Sequence, residues 1–307
     1  MRTTGDVIKA ASAHLGGLSG HIFDVVAVSR PVSPEAAVNL AKIISKLSPL
    51  VGNLIEFNVV EFLNDREEFS SLGRWRRQDP GFPDMIFVDS GITPTPGFEV
   101  KAWFPLATEI TARFKDSQNH FLDDQTYVVL LAWLPEHLIY GKPSIIDVCI
   151  VPGASVAAAR DRHYHRPPEY LVLEPENTSA RTRNLQQTNT NGFIFQGTPD
   201  QLEEARRLVG GWGTEGRRYQ PTREYQELLR TLIARFPYRL DTNFAKIDRI
   251  VHPEIEDFKR RVYGTTVHNL KISQWGPLLR STDDARLRRA LETYLGVKDE
   301  DARELLK

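Results

Sequence analysis

The chain has 307 residues, with 39 Lys and Arg against 40 Asp and Glu, and 41% of its residues are hydrophobic. This length supports one large domain or two ordinary ones with a sizeable core, and the composition excludes a disordered chain. The balanced charge gives no overall sign of a polyanionic partner. A nucleic-acid-binding protein of this composition would need locally grouped basic residues.

The single cysteine and the lengths of the apolar runs exclude several further classes of protein. Cys149 is the only cysteine, which excludes a disulfide framework and a multi-cysteine zinc site. No run approaches the roughly 18–20 apolar residues of a transmembrane helix, and the N-terminal stretch lacks the apolar core of a signal peptide. We therefore expect a cytoplasmic protein without membrane contact. No glycine-rich loop ending in Lys-Ser or Lys-Thr is present, so we expect no nucleotide cofactor.

The first clear pattern in the chain is helical, from Ser33 to about Asn64. Ser33 is a candidate N-cap, Pro34 suits the first helical position, and apolar residues follow at helical spacing. Pro49 is expected to start a second helix or to kink the first. The second half is apolar over most of its surface, which predicts a well-buried helix, although it carries Glu56.

Strand patterns follow these helices. Residues 67–82 are predicted to be a basic, irregular connection, and Asp84 to Val88 a strand. The turn-rich sequence SGITPTPG then predicts a hairpin whose partner strand runs from Phe98 to Trp103. Pro105 to Gln118 is a candidate helix.

The remainder predicts the fold class. The runs QTYVVLLAWL and SIIDVCIV are typical of central strands covered on both faces, and EYLVLEP is a further strand candidate. The segment from Asn177 to Gly192 is polar and irregular, and from Thr222 the chain is largely helical. We expect an α/β fold with a mixed central β-sheet flanked by helices. One core would span 1–215, and 216–307 would be a helical C-terminal part, either in the same domain or in a second one.

The predicted hairpin carries three charged residues in apolar surroundings. Side chains alternate along a strand, so Glu99 and Lys101 share one face while Val100 points the other way. An ordinary hairpin register brings Asp84 close to both. Neighbouring carboxylates resist burial unless a cation lies between them, and Mg²⁺ prefers such hard oxygen ligands. This is the chemistry of metal-assisted phosphodiester hydrolysis. Without a metal, Glu99 and Lys101 would form only an ion pair of little energetic value on a solvent-facing hairpin.

Pro83-Asp84 and Glu99-Val100-Lys101 resemble the signature of the PD-(D/E)xK nuclease superfamily. The resemblance implies that Asp84 and Glu99 bind Mg²⁺. It implies that Lys101 positions the attacking water or helps to deprotonate it. The preceding helix, with the sequence GNLIEF, resembles the element that carries one more metal-site acid in this superfamily. Glu56 is the expected residue and Glu61 the alternative.

With no ATPase motif, the resemblance implies a type II restriction endonuclease that cuts double-stranded DNA. Such enzymes usually act as homodimers, because a two-fold protein matches a palindromic site. Two alternatives stay open. One is a repair or recombination nuclease of the same superfamily, and the other is a non-catalytic DNA-binding protein with the same fold.

Three segments are candidates for DNA contact. NTSARTRNLQQTNTNGF holds side chains that pair with base edges, although Asn, Thr and Gly are also common in plain exposed loops. The segment after the hairpin and the sequence GRWRRQ hold residues suited to phosphate contacts, or simply to a solvated surface. The predicted base-reading residues are Arg181, Arg183, Asn184, Gln186, Gln187, Thr188, Asn189, Thr190 and Asn191. The predicted backbone contacts are Arg113 and Lys115 with Thr108 and Thr111, and Arg74, Arg76 and Arg77 with Trp75 between them.

Overall fold

A computed structural model describes residues 3–78, 81–107, 109–110, 121, 124–176, 190–213, 220 and 222–298. Several predicted DNA-contacting residues lie outside this part of the chain. They are Thr108, Thr111, Arg113, Lys115, Arg181, Arg183, Asn184, Gln186, Gln187, Thr188 and Asn189.

Helices precede the central sheet, as predicted from Ser33 onward. They are α1 (Thr4–Gly16), α2 (Pro34–Ile43), a 3-10 turn (Ile44–Leu47), α3 (Ser48–Asn64) and the short α4 (Glu67–Ser70). The Ser33 hydroxyl accepts a hydrogen bond from the backbone N–H of Ala36 at 3.1 Å, which caps α2. Pro49 lies in the first turn of α3, where the missing N–H costs no helical hydrogen bond.

The central sheet has five strands in the order β1-β2-β3-β4-β5. The strands are β1 (Arg74–Arg77), β2 (Met85–Val88), β3 (Gly97–Trp103), β4 (Thr126–Pro135) and β5 (Pro143–Pro152). Strands β3 and β4 are parallel, whereas the other neighbouring pairs are antiparallel. The predicted mixed sheet and the predicted hairpin of β2 with β3 are therefore confirmed.

Three details differ from the prediction. Residues 74–77 form a regular edge strand rather than an irregular connection, because Trp75 anchors β1 in the core. β4 is central, but β5 is the last strand of the sheet, and the backbone around Phe23 covers part of its outer edge. An apolar run is similar in both settings, so it does not reveal strand order. Of the candidate helix from Pro105 to Gln118, residues 105–107, 109 and 110 form turns and bends, and the other residues lie outside the described part of the chain.

A smaller unit follows the central sheet. After α5 (Gly153–Tyr164), whose buried apolar residues belong to the core of the central sheet, its elements are β6 (Tyr170–Leu173), β7 (Asn191–Phe195), α6 (Pro199–Gly210), α7 (Arg223–Arg235) and β8 (Tyr238–Asp241). The three strands form an antiparallel sheet in the order β6-β7-β8. Residues of β6, α6 and α7 form a hydrophobic cluster of their own around Leu171 and Leu229.

The C-terminal part is helical, as predicted. It contains a 3-10 turn (Ile247–Arg249), α8 (Pro253–Gly264), the two-residue strands β9 (Thr266–Val267) and β10 (Leu270–Lys271), α9 (Ile272–Leu279) and α10 (Asp284–Leu295). Phe258, Trp275 and Leu291 of these helices belong to the same hydrophobic core as the central sheet. The structure is thus α/β, with a mixed five-stranded sheet flanked by helices. The boundary at residue 216 stays a prediction.

Helix α3 is fixed against the sheet at two points. The side-chain amide of Asn64 donates to the Trp75 carbonyl at 3.0 Å, and its oxygen accepts from the Trp75 N–H at 2.8 Å. At the other end, a Cβ on Gly52 would lie 3.6 Å from Cβ of Ala102, so the backbone of α3 comes close to β3 there. These contacts hold the helix that carries Glu56 over β1 and β3.

The helical run Pro34–Asn64 is long and apolar enough to cross a membrane by length and composition alone. This is a weak indication, because core helices of soluble proteins meet the same criterion. The absence of membrane contact stays a prediction.

Candidate active site

The hairpin brings Asp84 to the backbone of β3. Met85 pairs with Phe98, so Asp84 lies just outside the last paired residue of β2, beside the Glu99-to-Lys101 segment. Its Oδ2 atom accepts a hydrogen bond from the N–H of Val100 at 2.8 Å and another from Nζ of Lys101 at 3.0 Å. The predicted approach of Asp84 to this segment is confirmed.

Lys101 joins the two acidic residues of the predicted motif. Its Nζ atom lies 2.8 Å from Oε1 of Glu99 and 3.0 Å from Oδ2 of Asp84. The side chain of Glu99 is 2% exposed, that of Lys101 19% and that of Asp84 25%. A solvent-facing ion pair is therefore excluded for Glu99 and Lys101, and the site opens to solvent mainly at Asp84.

Two neighbours fix the backbone that presents Asp84. Gln78 donates from its backbone N–H to the Asp84 carbonyl at 2.7 Å and from Nε2 to the Pro83 carbonyl at 2.9 Å. Gly97, at the start of β3, leaves room for Pro83, because a Cβ there would lie 2.5 Å from Cγ of Pro83. Gln78 and Gly97 were not among the predicted site residues, since no local pattern marks either of them.

Glu56 reaches the same site from α3. Burial raises the pKa of its carboxyl group to about 7. The positive charge of Lys101 opposes this rise in pKa, the negative charge of Asp84 adds to it, and the N–H of Ala102 donates to the Glu56 carboxylate. Glu61, the alternative, is exposed. The structure therefore brings Glu56, and not Glu61, to the Asp84 and Lys101 pair.

The charge state of Lys101 follows from its neighbours. Burial by itself would lower the pKa of the ammonium group, but Glu99, Asp84 and Glu56 together raise it above its usual range. Lys101 is therefore a cation at neutral pH. Trp103, two residues further on the same face, packs against Phe258 and Tyr263 of α8, so the C-terminal part anchors the strand beyond the site.

The donor chemistry fits the predicted Mg²⁺. Within the described part of the chain, no three His, Cys, Asp or Glu side chains form a ready-made metal-binding group. Mg²⁺ is commonly bound by only one or two carboxylates and completes its shell with water and phosphate oxygens. Asp84 and Glu99 supply two such carboxylates, and both form ion pairs with Lys101. Asp84 is also close enough to Glu56 to raise the pKa of that carboxyl group. Three carboxylates around one ammonium group leave negative charge for a divalent cation to balance.

The arginines of GRWRRQ lie on β1 in distinct environments. Arg74 is exposed and pairs with Asp89 at 2.9 Å. Arg76 is exposed, whereas Arg77 is half-buried and its charge acts on Glu56. The described end of the predicted base-reading segment differs from an open loop, because Thr190 is buried and Asn191 is the first residue of β7, opposite Leu173.

A scan of protein-family models, a search of curated proteins and a search of solved structures each find no match for this chain. The chemistry of the site is therefore inferred from its own side chains. Those side chains are two carboxylates bound to one lysine, with a third carboxyl group beside them.

Proposed function

We propose that the protein is a cytoplasmic, Mg²⁺-dependent type II restriction endonuclease that cuts double-stranded DNA at a short specific sequence as a homodimer. One observation supports this proposal most directly: the Lys101 ammonium group contacts both Asp84 and the buried Glu99. A buried ion pair with a third carboxyl group beside it is costly for stability alone. It is useful where a metal ion and a phosphate must be bound together.

Asp84 and Glu99 would hold Mg²⁺, with Glu56 completing the site. When bound, Mg²⁺ lowers the pKa of its water and polarises a phosphoryl oxygen. The hydrogen bond from the Val100 N–H fixes one oxygen of Asp84, so that the carboxylate keeps its orientation. Hydrolysis adds water to phosphorus and breaks one P–O ester bond.

Of the two roles predicted for Lys101, positioning agrees with its raised pKa. A protonated amine donates hydrogen bonds and does not accept a proton. Lys101 would hold the attacking water by its oxygen and stabilise the negative charge that develops on the phosphate. The water would lose its proton to solvent or to the phosphate itself, and the oxygen that leaves the phosphorus would take up a proton from solvent.

Digestion of one sequenced plasmid tests the proposal. We expect Mg²⁺ to give a discrete fragment ladder whose mapped ends share one short sequence, and EDTA or the Asp84→Asn variant to give none. A smear of fragments would favour a repair or recombination nuclease with the same site. Binding of DNA without cleavage would favour a non-catalytic DNA-binding protein, and neither binding nor cleavage would contradict the proposal.

A further inference from the structure

We propose that Arg77 is a phosphate-binding residue of the active site and contacts the phosphate that is cut. This inference rests on the proposed nuclease function and extends it. It changes the predicted role of Arg77 from a contact anywhere on the DNA backbone to a contact with the phosphate that is cut. The same strand supplies Arg76 as an internal comparison.

The register of β1 on β2 brings Arg77 to the site. Arg77 pairs with Met85, the residue directly after Asp84. The next residue, Gln78, forms two hydrogen bonds with the Pro83 and Asp84 carbonyls. The backbone of Arg77 is thus held within one residue of the carboxylate that would bind the metal.

The direction of the Arg77 side chain follows from Trp75. Residues two apart in a strand share a face, and Trp75 points toward α3 and packs against Phe69 and Phe87 in the core. Arg77 therefore points to the α3 side, where it is half-buried. Arg76 points to the opposite side and is exposed.

Distances along the elements agree with this arrangement. Asn64 of α3 is bonded to Trp75, and Glu56 lies about 12 Å back along the helix axis from Asn64. Arg77 lies about 6–7 Å along β1 from Trp75, and its charge acts on Glu56.

The charges of the site support the same conclusion. The charges of Arg77 and Lys101 both act on the Glu56 carboxylate. The effect of Arg77 on Glu56 indicates that its guanidinium group lies near the carboxylates.

A phosphate entering this site needs more positive charge than Lys101 supplies. Lys101 is already bound to Asp84 and Glu99, so its charge is largely balanced before DNA arrives. The planar fork of arginine pairs with two phosphate oxygens at once, stays charged at any working pH and is less strongly hydrated than lysine. An arginine at the edge of a carboxylate cluster can therefore hold the phosphate against the metal.

Four proteins test the proposal: wild type, Arg77→Met, Arg77→Lys and Arg76→Met. Single-turnover cleavage of a short duplex that contains a mapped cut site is measured in Mg²⁺, and binding of the same duplex in Ca²⁺. We expect Arg77→Met to slow cleavage by about 100-fold and Arg77→Lys to recover about tenfold of that loss. Arg76→Met, which removes a predicted backbone contact, should slow cleavage at least about tenfold less than Arg77→Met does.

A structural role would give a different pattern. If Arg77 only balanced the charge of Glu56, Arg77→Met would lower the melting temperature and shift the Mg²⁺ concentration for half-maximal cleavage, and saturating Mg²⁺ would restore the rate. The proposal requires the loss of rate to persist at saturating Mg²⁺. Cleavage by Arg77→Met within threefold of wild type, or an equal loss in Arg76→Met, would overturn it.

Failure of the proposed function can be distinguished from failure of this inference. If the wild type does not cleave DNA, the nuclease proposal falls, and Arg77 is then judged by Ca²⁺-dependent binding of mixed short duplexes. Weaker binding by Arg77→Met than by Arg76→Met would keep Arg77 as a phosphate-binding residue. Equal binding by the two variants would overturn that assignment.

Discussion

Nζ of Lys101 lies 3.0 Å from Oδ2 of Asp84, although 17 residues separate the two along the chain. The contact exists because the turn between β2 and β3 folds the strands into a hairpin and the N–H of Val100 holds the same Asp84 oxygen. A surface ion pair of this length would contribute little. Here the lysine is mostly buried and also binds Glu99, so the contact defines a site.

Removal of either partner of this contact should abolish cleavage without unfolding the protein. Asp84→Asn and Lys101→Ala are each expected to lower the single-turnover rate by about 100- to 1000-fold, because the proposed function assigns Asp84 to the metal ion and Lys101 to the attacking water and the phosphate. Asp89→Asn is the matched control, since Asp89 is an exposed acid after the same strand. Circular dichroism verifies the fold. A variant that cuts within tenfold of wild type would show that the site is misassigned.

Glu56 and Glu61 should differ in their effect on metal affinity. Because Glu56 lies beside Asp84 and Lys101, Glu56→Gln is expected to raise the Mg²⁺ concentration for half-maximal cleavage by about tenfold. Glu61 is exposed, so Glu61→Gln should leave it unchanged. A titration of cleavage rate against Mg²⁺ measures both. If the order were reversed, the role would belong to Glu61.

The raised pKa of Glu56 predicts a pH dependence of stability. The folded state holds the Glu56 proton up to about pH 7, whereas the unfolded chain releases it near 4.5. The stability that comes from this group is therefore complete below pH 4.5 and is lost as pH rises through 7. In EDTA at pH 8, Glu56→Gln should be more stable than wild type by about 1–3 kcal/mol, and at pH 4 the two should agree. Urea unfolding at pH 4 and pH 8 measures the free energy of unfolding of both proteins. Equal stabilities at pH 8 would contradict a buried, charged Glu56.

Gly97 should be essential because of the space that Pro83 occupies. A methyl group at Gly97 would lie 2.5 Å from Cγ of Pro83, so Gly97→Ala must shift the segment that holds Asp84. We expect a loss of about 1–3 kcal/mol in the free energy of unfolding and a slower cleavage rate. Gly210→Ala is the control, because nothing lies within 4 Å of the added methyl group in α6. It should be neutral or stabilise the fold by up to about 1 kcal/mol. Similar melting temperatures for the two variants would argue against the close contact.

The base-reading prediction for residues 181–189 rests on sequence alone, since this segment lies outside the described part of the chain. Alanine at Arg183, Asn184, Gln186 or Gln187 should weaken binding to the cognate duplex by about 1–3 kcal/mol more than binding to a scrambled duplex. Binding is measured in Ca²⁺ at two salt concentrations. A residue that contacts phosphate would weaken both complexes alike and reduce the salt dependence. Equal losses on both duplexes for all four variants would leave the segment as a backbone clamp or a plain connection.

The sequence by itself determined the features that depend on near neighbours. Ser33 and Pro34 define the start of α2 through local capping, and Pro49 marks the break before α3. The turn residues after Val88 predict the hairpin, and the two-residue period of a strand brings Glu99 and Lys101 to one face. Each of these follows from contacts within a few residues, so the local pattern contains the information.

Only the tertiary structure decided which elements lie across from one another. β1 and β5 are the edge strands of the sheet. The sequence of a single strand, whether basic or apolar, does not show which strands it pairs with. Glu56 and Glu61 are five residues apart and so point about 140° from each other around α3, which leaves the choice to the packing of that helix. Burial beside Asp84 and Lys101 sets the pKa of Glu56, and the register of β1 brings Arg77 to the same site. Desolvation and strand pairing are long-range effects, and they appear only once the chain is folded.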